Sequence, residues 1–344
     1  MRARVIAVAC LFLGAPALAQ ELEPYSRELT PVAPAPPQLP PADPRAHFQV
    51  LWDNDAFSVR KDWVSDRWYS NGARLGWMSP ESPQGFAWLN DWFGPANTRW
   101  GFSLSQHIYT PTDKTLINPD PRDRPYAGYL YGTFSLERRG WNTLDRVELQ
   151  VGVVGPAAFA EPLQNSIHDI LKDQHGRGWA FQLKNEPTVN VNAERIWRVP
   201  LVTGPYAFGL DLLPSASVMV GNARTAAAVG TRVRIGQGLD RDFGPARIRP
   251  ALGDGAPPVG DGFGWYVFAG AGGAAVARDI FVDGNTFVDS RRVTREPLVG
   301  DLEAGFALLF GGYRLSYTQV YRTREFVGQD RPFTYGSIGM NFAF

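Results

Sequence analysis

SIGMNFAF, residues Ser337–Phe344, alternates Ile338, Met340, Phe342 and Phe344 with Ser337, Gly339, Asn341 and Ala343. Successive side chains of a strand point to opposite faces, so one face here is large and apolar and the other small and polar. That division suits a strand with lipid on one side and a narrow polar lumen on the other. RVELQVGV (Arg146–Val153) repeats it, setting Val147, Leu149, Val151 and Val153 against Arg146, Glu148, Gln150 and Gly152. In Val229–Ile235, Val229, Thr231, Val233 and Ile235 oppose Gly230, Arg232 and Arg234. An exported soluble β-sandwich would have to choose one of these faces as its core.

Working outward, alternating segments punctuated by Gly, Pro, Asn and Asp recur along the chain and predict an all-β body. Twelve strands are expected, at about 46–56, 68–79, 98–109, 126–139, 143–154, 186–199, 205–220, 227–237, 262–276, 301–310, 313–322 and 334–344. An even number places both ends of an antiparallel transmembrane barrel on the periplasmic side, with odd strands running outward. The terminal Phe344, on the apolar face, resembles the recognition signal of outer-membrane barrels. Tight periplasmic links are predicted at Gly140-Trp141-Asn142, Pro200–Gly204 and Gly311-Gly312, and long extracellular loops at 155–185 and 277–300. Periplasmic links 80–97 and 238–261 are longer than this rule expects.

Composition narrows the class. The 344 residues carry 34 Lys+Arg against 34 Asp+Glu, a balance that argues against nucleic-acid binding. Mean hydropathy is −0.21 and the sequence has no long apolar run beyond its start, so a bundle of membrane-spanning helices is not expected. Residues 1–19 read as a secretory signal peptide: Arg2 and Arg4, then apolar Val5–Leu13, then the cleavage signal Ala17-Leu18-Ala19. Its removal would take away Cys10, the single cysteine, and with it any disulfide. Residues 20–45 form a Pro-rich linker, with seven prolines between Pro31 and Pro44, leaving 46–344 as the barrel.

Strand parity gathers the unusual residues. WDNDAF (Trp52–Phe57), DRWYSNG (Asp66–Gly72), SQHIYTP (Ser105–Pro111) and DRPYAGYLYG (Asp123–Gly132) all fall at the outer rim. The 155–185 loop over that rim contains the one stretch of helical periodicity, a short helix with Pro162 in its first turn and Leu163, Ile167 and Ile170 or Leu171 on its apolar side. Gln164 and His168, four apart, stack on another face.

These strings, WDNDAF, DR-x-YSNG, Q-x-IYTP, DRPYAG-x-L, VGVVGP, QN-x-x-H and GWAFQL in this order, resemble the lipid A 3′-O-deacylase (LpxR-type) family of outer-membrane enzymes over roughly residues 46–344. The resemblance implies a twelve-stranded barrel that hydrolyses the ester holding an acyl chain at the 3′ position of lipid A, with Ca²⁺, by chemistry in which a histidine activates water. Carried over, the family's Asn-Asp pair falls on Asn54 and Asp55, its hydroxyl residue on Ser70, and its helix pair on Gln164 and His168. Lys114 is the nearest counterpart of its active-site lysine. An acidic position six after the histidine falls on Gln174, with Asp173 adjacent.

Chemistry supports these roles independently. Histidine titrates near neutral pH and suits a general base, His168 here. A hard Ca²⁺ on Asp55 oxygens, with the Asn54 amide nearby, would stabilise an oxyanion. Ser70 could support the metal or position substrate. Arg122, Arg124, Arg291, Arg292, Arg295, Arg322, Arg324 and Arg331 collect in outer loops, where they suit lipid A phosphates or are simply solvated. Gly101-Phe102-Ser103-Leu104-Ser105 lacks the second Gly of a nucleophile elbow, so a Ser–His phospholipase is disfavoured. The expected partners are lipopolysaccharide of the outer leaflet and the outer membrane itself, with the protein a monomer. The competing reading is a non-enzymatic barrel, a narrow pore or a loop scaffold.

Overall fold

The computed structural model describes residues 30–31, 39–59, 67–82, 87–172, 174–248 and 252–344. The signal peptide, Asp66 and Asp173 therefore lie outside the described residues. Twelve spanning strands form a closed antiparallel barrel. They are β1 (His47–Asn54), β2 (Asn71–Met78), β3 (Asn97–Tyr109), β4 (Ala127–Arg139), β5 (Thr143–Val154), β6 (Glu186–Trp197), β7 (Phe208–Gly221), β8 (Arg224–Gln237), β9 (Phe263–Asp279), β10 (Leu298–Phe310), β11 (Tyr313–Arg322) and β12 (Phe333–Ala343). Each pairs with its sequence neighbour, and β12 closes on β1 with Phe342 opposite Phe48.

The alternation has the inverted sense of a membrane barrel. Val147, Leu149 and Val151 are exposed on the outer wall, whereas Arg146, Glu148 and Gln150 are buried inside. On β12, Met340 and Phe342 face outward while Ser337 and Asn341 are buried. Closure of β12 on β1 leaves neither of these two strands as a free edge, so both can satisfy their backbone groups in lipid. The two-residue link at Gly311-Gly312 has φ of +54° and +83°, the left-handed pair that a tight hairpin requires and glycine supplies without strain.

One predicted turn moves. Instead of bending at Pro200–Gly204, the sixth strand resumes after Arg198 as Val199–Thr203 and turns through Pro205–Ala207. Pro200 is tolerated because the register against β7 shifts between Pro200 and Val202, a bulge where a missing N–H costs no regular ladder bond. Thr30–Pro31 adds a two-residue pairing to this extension.

Both overlong periplasmic links have structural explanations. In the 238–262 link, the described residues fold up into the lumen, burying Phe243, Ile248, Leu252 and Ala256 together with charged Asp242, Arg247 and Asp254. Asp242 accepts from Arg234, from Arg314 at 2.9 Å and from the Tyr266 hydroxyl at 2.8 Å. Asp254 pairs with Arg74 at 2.7 Å, and Arg247 bridges Glu303 and the Tyr335 hydroxyl. The link is thus a plug stitched to β2, β8, β9, β10, β11 and β12. Burial raises the Asp242 and Asp254 carboxyls, but their arginine partners outweigh it and hold both below the usual carboxylate range. The other link leaves β2 and carries a short helix, α1 (Asn90–Phe93), on the outer wall.

The end of the Pro-rich segment is tied to the same periplasmic end. Asn97 donates to the Pro40 carbonyl at 2.7 Å and Arg139 to that of Pro41 at 2.9 Å. Asp43 exchanges backbone and side-chain bonds with Glu81 and accepts from His47 at 2.9 Å.

Candidate functional site between helix α2 and the outer wall

The predicted helix exists as α2 (Ala160–Leu171), reached through a single turn at Pro156–Ala158. It does not lie over the barrel mouth. Gln106 of β3, on the outward parity, donates to the Ala158 carbonyl at 2.6 Å, and Ile108 packs with Tyr126, Ala160 and Trp179. Gly128 of β4 makes this approach possible, since a Cβ there would sit 2.6 Å from the Ala160 Cβ and 3.1 Å from that of Ala158. The helix therefore leans on the outside of the barrel wall, at the outer rim.

Its amphipathicity is reversed relative to a soluble helix. Leu163 and Ile170 are exposed, Ile170 by 80%, whereas Gln164 and His168 are buried at 3% and 4% exposure. The polar pair faces the wall and the apolar side faces away, the arrangement expected where the far side of the helix meets lipid.

His168 Nδ1 lies 2.7 Å from the Gln174 backbone oxygen. A carbonyl only accepts, so Nδ1 carries the proton in the neutral ring and Nε2 is the basic nitrogen. The residue at the position where the family pattern has an acid thus meets His168 through its main-chain oxygen, and Gln174 is itself exposed. Gln164 Oε1 accepts from Trp179 Nε1 at 3.2 Å, while its buried Nε2 has no hydrogen-bond partner among the described residues. Trp179 packs on Tyr126 with ring centroids 4.6 Å apart, and the Tyr126 hydroxyl donates to the Lys114 carbonyl at 2.9 Å. Arg177 N donates to the same carbonyl, so the Lys114 turn is locked beside the helix pair. Gly176 leaves room for this cluster, as a Cβ would meet Trp179 Nε1 at 2.8 Å and Gln164 Oε1 at 3.1 Å.

The Asn54-Asp55 end is built on the adjoining strands. Asn54 caps the single turn Asp55–Phe57, its Oδ1 accepting from Ala56 N at 2.8 Å, and its Nδ2 donates to Asn71 Oδ1 at 3.2 Å. Asn71 also accepts from Trp52 Nε1, which fixes the β1–β2 rim. Asp55 is buried at 5% exposure. Ser70 is buried too, its hydroxyl 2.6 Å from Thr110 Oγ1 and its N–H on the Ile108 carbonyl. Ile108 thereby connects Ser70 to the α2 cluster. Among the described residues no group of three or more His, Cys, Asp or Glu side chains is gathered in a metal-binding arrangement. Asp55 is the described residue that the sequence assigns to calcium, and its carboxylate would supply charge to the ion.

Sequence reasoning assigned no role to Trp179, Tyr126, Gln106 or Gly128, although GWAFQL and DRPYAG contain three of them. It also placed His107 as a rim residue. His107 is buried in the lumen, 3.2 Å from both the Tyr109 and Tyr131 hydroxyls. Most outer-loop arginines are engaged within the protein: Arg124 with Glu325, Arg322 with Asp301, Arg295 with Asp283 and Arg291 with the Pro119 carbonyl.

Compared with known proteins, residues 6–344 match the family model of the outer membrane protein LpxR. The chain belongs to the LpxR family. It is an outer-membrane protein. Among solved structures, LpxR from Salmonella typhimurium superposes with a TM-score of 0.73 at 18% identity, covering 87% of this chain and all of that one. The β domain of the Bordetella autotransporter BrkA also matches, at a TM-score of 0.41 and 13% identity over 88% of this chain and 98% of that one. No curated protein matches by sequence. The family match at residues 6–344 spans the strands and the helix that build the α2 site.

Proposed function

We propose that this protein is an outer-membrane esterase that removes the acyl chain or chains linked at the 3′ position of lipid A, using water activated by His168. The observation that carries this reading is the buried Gln164/His168 face of α2, applied to the outer wall where a lipid could enter from the side. His168, held by the Gln174 carbonyl, takes a proton from water at Nε2 as the water oxygen attacks the ester carbonyl. Gln164 Nε2, buried and unspent, donates to the oxyanion that forms. Collapse of the tetrahedral intermediate breaks the bond to the sugar oxygen, which takes the proton from His168 and leaves as the 3′ hydroxyl, releasing a fatty acid. Asn54 and Ser70 fix the rim, and Lys114 supplies a cation for an anionic headgroup. Calcium bound through Asp55 would add positive charge beside the developing oxyanion.

A narrow pore fits the molecule less well, because the plug with Asp242, Arg247 and Asp254 occupies the lumen. The test is mass spectrometry of lipid A from a host without such an enzyme, expressing either this chain or His168→Ala. Loss of a 3′-linked acyl chain with the wild type alone supports the reading. Unmodified lipid A with both, from folded barrels, removes it.

A further inference from the structure

Helix α1 and the turn Ala87–Leu89 before it have exposed aromatic residues where a periplasmic loop would ordinarily be polar. Trp88, Trp92 and Phe93 are 65%, 80% and 59% exposed. The helix is nevertheless fixed: Arg138 donates to Asn90 Oδ1 at 2.9 Å and to the Gly94 carbonyl at 2.7 Å, and its guanidinium lies 5.5 Å over the Phe93 ring. Between helix and wall runs a groove of about 820 Å³, with Trp88 and Phe93 as its roof and Leu136, Ala193 and Ala216 on its floor. Small residues at the two alanine positions open the slot. Its volume falls in the range of small-molecule sites, about 300–1,000 Å³.

The mouth of the groove is charged. Arg195 pairs with Asp145 through two bonds, at 2.5 and 2.9 Å, and Arg138 lies 3.7 Å from the same carboxylate. Two guanidinium groups share one carboxylate, leaving one positive charge, and the Arg195 side chain is 36% exposed. β4 runs from the outer rim at Ala127 to the periplasmic end at Arg139, so this mouth lies at the inner-leaflet headgroup level. The groove is also continuous with the lipid-facing wall at Val147 and Leu149.

We propose that the groove holds one acyl chain of an inner-leaflet phospholipid, with its phosphate at Arg195. The apolar slot takes the chain, the net positive mouth takes the phosphate, and the tryptophans sit at the membrane interface where their amphipathic rings are favoured. This makes the β2–β3 link a lipid clamp on the opposite leaflet from the α2 site.

The test is native mass spectrometry of the full-length barrel, extracted in detergent and exchanged extensively, then titrated with phosphatidylglycerol. The wild type should keep one phospholipid mass, as should Ala304→Trp, which adds the same ring to the outer wall elsewhere. Ala193→Trp fills the slot and should lose that mass while remaining heat-modifiable. Arg195→Gln, which spares the floor, should need about tenfold more lipid, the loss of one charge-assisted phosphate contact. No retained lipid on the wild type, equal retention by Ala193→Trp and Arg195→Gln, or a retained mass corresponding to lipid A or a second copy of the chain, overturns the proposal.

Discussion

Gly128→Ala offers a sharp test of a site between α2 and the barrel wall. The new Cβ would stand 2.6 Å from the Ala160 Cβ, against an ordinary carbon–carbon contact of about 3.5–4.0 Å. The helix must therefore lift by about 1 Å, since β4 is held on both sides by its neighbours whereas α2 touches the wall along one face. A displacement of that size at a reacting group costs about 10²-fold in rate, equivalent to about 2.7 kcal/mol of barrier. Deacylation measured on lipid A by mass spectrometry should fall accordingly, while heat-modifiability, which reports the barrel, stays at the wild-type value. Ala160→Gly in the same chain removes the clashing methyl and should restore most of the activity. The contact with Ala158 at 3.1 Å and the glycine in the helix would account for the remainder. Wild-type activity in Gly128→Ala, or no recovery in the double variant, would refute the proposal that Gln164 and His168 act from their place against the wall.

Other expectations follow from the same geometry. Gln174→Ala should leave the pH profile of deacylation unchanged because the main-chain oxygen orients His168, whereas His168→Ala should reduce the rate by about 10²–10⁴-fold; an altered profile in Gln174→Ala would implicate its side chain. Chelation should stop deacylation and added Ca²⁺ restore it, with Asp55→Asn moving the calcium midpoint to higher concentration as an anionic ligand becomes neutral; full activity in chelator removes calcium from the scheme. At the periplasmic end, burial raises the Asp43 carboxyl, but hydrogen bonds from His47 and Arg45 outweigh it and hold it well below the usual range. A depressed folded pKa gives stability that is present above about pH 4 and lost as pH falls through the folded value, so protection factors of the amides around Glu81, corrected for the intrinsic exchange rate at each pH, should fall on acidification in the wild type and change less in Asp43→Asn.

The strands were legible because membrane barrels write their fold in period two. Apolar Val147, Leu149 and Val151 must face lipid, and no register error is tolerated when the opposite face carries Arg146 and Glu148. The rim clusters were legible for a related reason: polar, non-repeating strings such as WDNDAF interrupt that period at positions parity assigns to one end. Neither long periplasmic link could be placed by those means. The 238–262 plug is held by pairings between residues far apart in the chain, Asp254 with Arg74 and Arg247 with Glu303, and nothing local in Asp254 or Arg247 announces the partner. The side of the barrel on which α2 sits was equally hidden, because it depends on Gly128 lacking a side chain some thirty residues away.

Gln174 marks a deeper limit. Read as a string of side chains, a glutamine in place of an acid suggests a damaged site, yet the histidine is oriented by a carbonyl that every residue type possesses. Orientation of His168 therefore depends on where the Gln174 carbonyl stands, and the residues that follow it are held by other groups. Gly176 fits between Trp179, Gln164 and Tyr126, and Arg177 N is bound to the Lys114 carbonyl. Substitution at 174 should be better tolerated than substitution at Gly176, where any Cβ enters the cluster that holds both Gln164 and the turn. On the proposed mechanism, the position most sensitive to change is Gly176, which performs no chemistry but sets where Gln164 stands.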